Sequence, residues 1–222
     1  MARHRLHFVK EGRAVYLSHL DLMRTMQRVF VRAGIKIRHT EGFNPHPYIS
    51  VALPLSVGVE SCVEFLDFEL VDDTPLATLP ARLTEKMPQG VRVLDAYEAV
   101  RKVKEITWLG HTGVFAYDGE PDTEEMARAL TGFFNQKELF VKKRNKKKEE
   151  TKVDIIPLIR EIRFTPRESR EITIETVIAA QNPSLNPGLL VEALRQKAAE
   201  LTPGFAVFSR QEAFDSCGLV FR

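Results

Sequence analysis

Residues 16–60 carry the clearest structural signals of the chain: YLSHLDLMRTMQRVFVRAGIKIRHTEGFNPHPYISVALPLSVGVE. Ser18 predicts a helix N-cap, and Asp21, three residues later, predicts its partner in a capping box. Apolar residues then recur at helical spacing as far as Ala33, and Gly34 predicts a left-handed helix terminator. The stretch is therefore expected to form an amphipathic helix, a loop and an apolar strand.

The polar face of this helix is basic. Arg24, Arg28 and Arg32 recur every four residues, so they line up along one side of the helix. A row of arginines is typical either of a solvated helix face or of a surface that binds phosphates. Residues 1–50 hold nine Lys or Arg against three Asp or Glu, whereas residues 51–100 hold three against nine. This asymmetry favours phosphate binding.

The loop after the helix, residues 40–47, holds Asn44, His46 and two prolines. The prolines flank His46 and restrict the backbone, which lowers the entropy lost when the imidazole is held in place. Because histidine titrates near neutral pH, it can act as an acid or base or pair with a phosphate. The loop is a candidate nucleotide contact, and His46 and His19 are the candidate catalytic residues. The alternative is a loop histidine that packs on a neighbouring aromatic ring.

Alternation and turn signals outside this stretch predict the element order β-α-β-β-α-β, the ferredoxin-like split pattern. The first set has strands at 5–9, 48–53, 62–70 and 91–100. A second set has helices at 122–135 and 187–201 and strands at 107–117, 137–143, 151–159, 171–180 and 205–209. The sequence therefore predicts an α+β protein of two tandem ferredoxin-like units with antiparallel sheets, spanning residues 1–103 and 104–222.

A second basic cluster, KKRNKKKEETK at residues 142–152, has seven positive and two negative side chains. Its simplest interpretation is a hairpin tip between two strands. No aromatic residue follows Phe140 within it, so the cluster predicts phosphate contacts without base stacking. Its candidate phosphate-binding residues are Lys142, Lys143, Lys146 and Lys147. The alternative is a solvated, charged hairpin tip.

Other features narrow the functional class. The composition, 44% hydrophobic and 28% charged, is that of a globular protein, and no apolar run approaches the roughly 18 residues of a membrane span. Without a signal peptide at the start, we expect a cytoplasmic protein. Cys62 and Cys217 are too few to ligate a structural zinc or an iron–sulfur cluster, and we expect reduced thiols in or near the core.

The sequence also predicts no cofactor and no metal site. Phosphate-cradling glycine motifs and nucleophile elbows are absent from it. Ser18, His19 and Asp21 do not form a catalytic triad, because neighbouring helical positions diverge by about 100°. The acidic residues Glu64 and Asp67 fall on opposite faces of their predicted strand, which weakens a carboxylate metal site.

The segments SHLDLMR, GFNPHP, LPLSVGVES and LDFEL resemble a bacterial family of unknown function, the radical-SAM-linked proteins. Members of that family occur fused to, or encoded beside, a radical SAM protein. The residues that fall on its motifs are Ser18, His19, Asp21, Arg24, Gly42, Asn44, Pro45, His46, Pro47, Gly58, Glu60 and Ser61. The resemblance implies a cytosolic partner of a radical SAM enzyme acting in tRNA or rRNA modification. Because the chain lacks a CxxxCxxC motif, the radical chemistry would belong to the other polypeptide.

These observations predict an RNA-binding accessory protein that works with a radical SAM enzyme and has no catalytic activity of its own. Its predicted RNA contacts are Arg24, Arg28, Arg32, Asn44, His46, Lys142, Lys143, Lys146 and Lys147. One alternative is a metal-independent ribonuclease-like enzyme using His46 or His19, for which the tandem fold offers an analogy with CRISPR repeat-processing endoribonucleases. The other is a protein-interaction module that docks on a radical SAM partner.

Overall fold

The computed structural model of the protein describes residues 3–144, 150–167 and 170–222. The protein is α+β and divides into two compact units, one of Met1–Glu105 with Arg222 and one of Ile106–Phe221. Within the described residues there are four α-helices, two in each unit. The main-sheet strands within each unit pair antiparallel, and each unit has a hydrophobic core of its own.

The first unit contains four strands and two helices in the order predicted for this part of the chain. They are β1 (His4–Lys10), α1 (His19–Arg32), β2 (Ile49–Ala52), β3 (Glu60–Phe68), α2 (Leu79–Thr84) and β4 (Val91–Glu98). Neighbouring strands are antiparallel, and their order in this unit is β4-β1-β3-β2. Because β1 lies beside β3 rather than β2, α1 crosses over one strand position.

Helix α1 forms where the capping signals predict it. The Ser18 hydroxyl accepts the backbone N–H of Asp21 at 3.2 Å and donates to the Asp21 carboxylate at 2.7 Å. Gly34 follows the helix with a φ of +65°, the left-handed conformation that glycine adopts without a steric cost. Met26 and Phe30 are fully buried under the helix, and burial of each side chain contributes about 1.5–3 kcal/mol.

The carboxyl ends of α1 and α2 are tied together by arginines. Arg82 donates to the carbonyl of Ala33 at 2.9 Å, and Arg32 donates to the carbonyl of Lys86 at 3.0 Å. Each guanidinium thus satisfies a carbonyl that the ending helix leaves without a partner. The exposed face of α1 is consequently held in a fixed orientation on its unit.

The second unit repeats this strand order with a hairpin between its first helix and its second sheet strand. Its elements are β5 (Trp108–Ala116), α3 (Thr123–Phe134), β6 (Phe140–Arg144), β7 (Glu150–Asp154), β8 (Ile159–Pro166), β9 (Glu171–Ala179), α4 (Gly188–Lys197) and β10 (Phe205–Phe214). The antiparallel order is β10-β5-β9-β8. In the described part of the chain, strands β6 and β7 pair with each other alone, in a two-stranded sheet.

The prediction for the hairpin region was wrong in part. The strands predicted at 137–143 and 151–159 were assigned to the second ferredoxin-like unit, whereas β6 and β7 form a two-stranded sheet. The second strand of the main sheet in chain order is β8, most of which lies outside the strands predicted from the sequence. Its charged residues, Arg160, Glu161 and Arg163, obscure the alternation, because they lie on an outer strand that pairs only with β9 in its unit.

The cysteines were expected to be reduced thiols in or near the core, and the structure differs in their burial. Cys62 and Cys217 are both exposed free thiols. Partial burial is the main cause of a raised pKa at Cys62, and the nearby carboxylates of Glu11 and Glu60 add to it. A raised pKa keeps the Cys62 thiol protonated and hence weakly nucleophilic.

Candidate nucleic-acid interface

The three predicted arginines of α1 are all exposed. Arg24 forms an ion pair with Asp21 at 3.6 Å between partners that are both largely solvated, and Arg28 Nε donates to the Arg24 carbonyl at 3.3 Å. Arg32 uses one nitrogen on Lys86. A guanidinium has more N–H donors than these contacts use, so the face retains donors for phosphate oxygens.

The predicted loop is the tip of a small antiparallel turn. Tyr48 N–H donates to the Arg38 carbonyl at 2.7 Å, and Thr40 N–H donates to the His46 carbonyl at 2.9 Å. His39 and Pro47 form an isolated antiparallel β-bridge. These contacts close the base of the loop and leave residues 41–45 exposed.

His46 is anchored through one ring nitrogen. Thr40 Oγ1 accepts the His46 backbone N–H at 3.1 Å and also lies 3.1 Å from the ring Nδ1. Nδ1 is 3.3 Å from the carbonyl oxygen of Asn44, which only accepts hydrogen bonds, so this contact requires the tautomer with hydrogen on Nδ1. Both of these side-chain contacts use Nδ1, and neither uses Nε2. The predicted Asn44 contact is likewise exposed.

A groove of about 320 Å³ joins the arginine face to the loop. Its lining residues are Gln27, Arg28, Val31, Arg32 and Pro47. The structure therefore brings Arg28 and Arg32 to the GFNPHP loop, whereas Arg24 lies outside the groove lining.

His19 is exposed at the amino end of α1, away from this groove. At a rise of 1.5 Å per residue it lies about 12 Å along the helix axis from Gln27. Among the described residues no hydrogen bond, ion pair or ring contact joins His19 to His46. The two candidate catalytic histidines are thus not brought together by a contact.

Three of the carboxylates near the loop and strand β3 have partners within the first unit, two of them charged and one a backbone N–H. Asp67 forms a bidentate pair with Arg5 at 2.6 and 3.0 Å. Glu69 binds Arg38 at 2.9 Å, and this hydrogen bond is the main cause of the raised pKa of Arg38. Glu60 accepts the Gly12 N–H at 3.1 Å. Within residues 3–144, 150–167 and 170–222 no group of three or more His, Cys, Asp or Glu side chains is arranged to hold a metal ion.

The second basic patch lies on the β6–β7 hairpin. Lys142 is directly opposite Lys152 across the two strands, and Lys142 Nζ lies 3.3 Å from the Glu150 carboxylate. Like charges directly opposite each other destabilise a strand pair, and the Glu150 carboxylate offsets this at Lys142. Lys143 is exposed beside them, and the predicted Lys146 and Lys147 contacts lie outside the described residues.

Gln196 of α4 holds this hairpin in place. Its side-chain oxygen accepts the Lys142 N–H at 2.9 Å, and its nitrogen donates to the Lys142 carbonyl at 3.0 Å and to Glu192 at 2.8 Å. The amide therefore bonds β6 as a neighbouring strand would. This hydrogen bond from Gln196 is the main cause of the lowered pKa of Glu192, and Arg195 contributes as well.

A cleft of about 760 Å³ lies between the hairpin and α4. It is lined by four lysines, two glutamates and three other residues: Lys142, Lys143, Lys152, Lys197, Glu150, Glu192, Phe140, Leu189 and Gln196. We call it the hairpin cleft. Sequence reasoning missed Lys197, because α4 follows the hairpin only after more than 30 residues. It also excluded base stacking, whereas Phe140 lines the cleft with 46% of its surface exposed.

None of the helices in the described residues has the length and apolar character that a membrane crossing requires.

The chain matches the profile of a protein family described as "Uncharacterized protein conserved in bacteria (DUF2344)" over residues 3–187. No curated protein sequence matches it. Among solved structures, the fold is similar to a chain in the crystal structure of a Cbf5-Nop10-Gar1 complex, with a TM-score of 0.52 and 9% identity over 95% of this chain.

A chain in the structure of an H/ACA RNP bound to a substrate RNA containing 2′-deoxyuridine gives a TM-score of 0.50 and 8% identity, again over 95% of this chain. This chain spans about half of those two, 48% and 47% of their lengths. An unknown protein from Galdieria sulphuraria matches with 10% identity and a TM-score of 0.27, over 94% of this chain and 96% of that one. At these identities the likeness concerns the fold alone.

Proposed function

The chain belongs to this bacterial family of uncharacterized proteins, and we propose that it is an RNA-binding accessory protein for a separate modifying enzyme. The observation that carries the proposal is the hairpin cleft. Four of its side chains are cationic and two are anionic, so its field attracts a polyanion.

The arrangement of the lysines supports phosphate as the ligand group. Lys142 and Lys152 repel each other across the strands, and a phosphate between them would relieve that repulsion. Lysines bind phosphates as point charges without reading sequence, which suits a protein that positions many RNAs. Phe140 offers a face on which one base can stack.

RNA is the polyanion that we test first because of the fold likeness. One of the two similar chains belongs to an H/ACA RNP bound to a substrate RNA. The likeness carries no residue across at 8% identity, so the contacts in this chain are argued from its own side chains.

The experiment measures binding of total tRNA and rRNA over a range of salt concentrations. We expect affinity to fall steeply as salt rises, and Lys142→Gln with Lys152→Gln to flatten that dependence by about two phosphate contacts. The control exchanges two exposed lysines elsewhere, Lys36→Gln and Lys104→Gln, which remove the same charge. Salt-independent or absent binding by the parent protein would overturn the proposal.

The proposed partner is a radical SAM protein that modifies tRNA or rRNA, as the sequence resemblance implies. Apolar side chains support a docking surface on the first unit. Tyr16 is 73% exposed, Leu20 64% and Val57 58%, and the Gly58 N–H bond to the Val15 carbonyl holds Val57 near Tyr16. Co-purification of the partner should survive nuclease treatment and should be lost on Leu20→Lys. Retention of the partner by that variant would exclude this surface.

A second candidate function is RNA cleavage with His46 or His19 as general base. The anchored Nδ1 of His46 favours it, because a fixed ring presenting Nε2 is the geometry of a positioned base. His46→Ala and His19→Ala should then lower cleavage of labelled cellular RNA relative to the parent. Equal cleavage by all three proteins, or none by any, would exclude this function.

We also infer that both units are ferredoxin-like. Support comes from their common strand order, in which the first strand lies between the third and the fourth and the second lies at the edge. In the second unit this comparison treats the β6–β7 hairpin as an insertion. Expression of residues 106–221 alone would test whether the second unit folds by itself. The expected result is cooperative unfolding of the isolated unit.

A further inference from the structure

The groove between α1 and the loop has apolar walls. Val31, which is 73% exposed, lines it from α1 together with the aliphatic stems of Arg28 and Arg32, and Pro47 lines it from the loop. A volume of about 320 Å³ is at the small end of the range for small-molecule sites. The walls therefore suit a flat, apolar group of modest size.

The polar groups around these walls are cationic or neutral. Arg28 and Arg32 provide guanidinium donors, Gln27 provides an amide with both donor and acceptor, and none of the five lining residues is acidic. A nucleotide combines the two properties that the groove complements, a flat base and an anionic phosphate. Arg28 is the residue best placed for the phosphate, because its bond to the Arg24 carbonyl uses Nε, whereas Arg32 uses a terminal nitrogen on Lys86.

Phe43 adds a stacking surface beside the groove. Its side chain is fully exposed at the tip of the loop, and no core packing explains it. The loop is stiffened by Pro45 and Pro47 and closed by the Thr40–His46 bonds, so little entropy is lost when Phe43 receives a base. The four-residue step from Phe43 to Pro47 spans at most about 14 Å. Phe43 therefore lies no further from Pro47 than the length of a few stacked bases.

We propose that this groove and Phe43 together bind unpaired nucleotides of the RNA. The inference rests on the proposed RNA-binding function and specifies its substrate class. In a duplex both faces of each base are stacked on neighbours, so neither Phe43 nor the groove can reach a base face. In a loop, bulge or single-stranded end the bases are free to stack on Phe43 and on the walls at Val31 and Pro47.

The experiment compares a short oligo(U) RNA with a blunt RNA duplex of matched length, using the full chain. The parent should bind the single strand more tightly. Phe43→Ala should weaken single-strand binding by about 5- to 150-fold and leave duplex binding unchanged. Arg28→Gln should lower the salt slope for the single strand by about 0.7.

Two matched variants control for general effects. Phe205→Ala removes another exposed phenylalanine, at 65% exposure, and Arg92→Gln removes another exposed arginine. Both should bind the single strand as the parent does. Because Phe43 has no buried surface, Phe43→Ala should retain the melting temperature of the parent. Phe43→Trp keeps an aromatic ring at this position and should restore the single-strand binding that Phe43→Ala loses.

The two failures are distinguishable. If the parent binds duplex and single strand equally and Phe43→Ala changes neither, the inference is wrong while RNA binding stands. If the parent binds neither RNA, the proposed function and the inference both fail.

Discussion

At the scale of single residues, the first unit contains a buried ion pair between β1 and β3. Arg5 and Asp67 meet in bidentate geometry, and the Arg5 side chain is 1% exposed. Exchanging Asp67 removes a bidentate carboxylate from a buried guanidinium. Asp67→Asn should therefore lower the free energy of unfolding in urea by about 3–5 kcal/mol. Glu85→Gln, which breaks the exposed pair with Lys86, should leave it close to that of the parent.

His111 makes stability depend on pH. It is buried on β5, and its burial, with the charge of Arg210 opposite on β10, lowers its pKa from 6.5 to about 3. The folded protein keeps the His111 ring neutral, whereas the unfolded chain takes up a proton below pH 6.5. The contribution of His111 to the free energy of unfolding is therefore full above pH 6.5 and is lost as pH falls towards 3.

The loss between pH 6.5 and pH 5 should amount to about 2 kcal/mol. His111→Gln should flatten the curve of unfolding free energy against pH in this window, as measured by urea titrations at several pH values. The exposed His39→Gln is the control and should keep the slope of the parent. A slope that is the same in His111→Gln and the parent would show that another group is responsible.

The residues of the candidate site were only partly predictable from the sequence. Arg28 and Arg32 were identified because helical spacing is information that lies within the segment itself. The loop was identified for the same reason, because its prolines also act locally. The exposure of Phe43 was not identified, since an aromatic residue in a loop packs inward or outward according to distant neighbours. Lys197 was missed for the same reason, because only the packing of α4 on the hairpin brings it to the lysines.

At the scale of elements, α1 agrees with its prediction to within one residue at its end. The agreement follows from local chemistry, in which the Ser18 cap, the apolar spacing and Gly34 all lie within the segment itself. Ser18→Ala should lower the free energy of unfolding by about 1 kcal/mol, because the Asp21 N–H loses its acceptor. Ser18→Asp should recover most of the loss in the same urea titration. A stable Ser18→Ala variant would show that water replaces the cap without cost.

Strand β8 shows the opposite case. Its residues resemble a solvated segment, and only pairing with β9 makes them a strand. The neighbouring segment at 156–158 contains Pro157 and forms a 3₁₀ helix rather than the predicted extension of a strand. A local pattern cannot supply pairing that depends on residues further along the chain, so this part of the topology needed the structure.

Gln196 joins α4 to the hairpin by hydrogen bonds to the Lys142 backbone. Gln196→Ala removes both of its hydrogen bonds to Lys142 and the bond to Glu192 without altering any charge. Hydrogen exchange at the Lys142 amide should accelerate, and RNA affinity should fall while its salt slope stays the same. Gln136→Ala removes an exposed glutamine bonded to its own helix and should change neither quantity. Unchanged exchange at Lys142 in Gln196→Ala would contradict this role.

At the scale of the whole molecule, the positive charge predicted from the sequence is divided between two units with separate cores. The α1 groove belongs to the first unit and the hairpin cleft to the second. The sequence analysis found both patches as local runs of charge, but not that each lies beside an apolar or aromatic surface. That association arises from folding, which brings Pro47 to Val31 and Phe140 to the side chains of α4.

If both patches bind one RNA molecule, their contributions to the salt dependence add. Each phosphate contact contributes about 0.7 to the salt slope on a single strand, because the protein replaces condensed counterions. Arg28→Gln and Lys152→Gln should each lower the slope on a long single-stranded RNA by this amount, and the double variant by the sum. On an oligonucleotide too short to reach both patches, the double variant should lower the slope only as much as one single variant does. Linked sites on one strand release their counterions in a single binding event, so their contributions to the slope add. A double variant whose slope on the long RNA equals that of either single variant would therefore show that the two units do not bind the same RNA together.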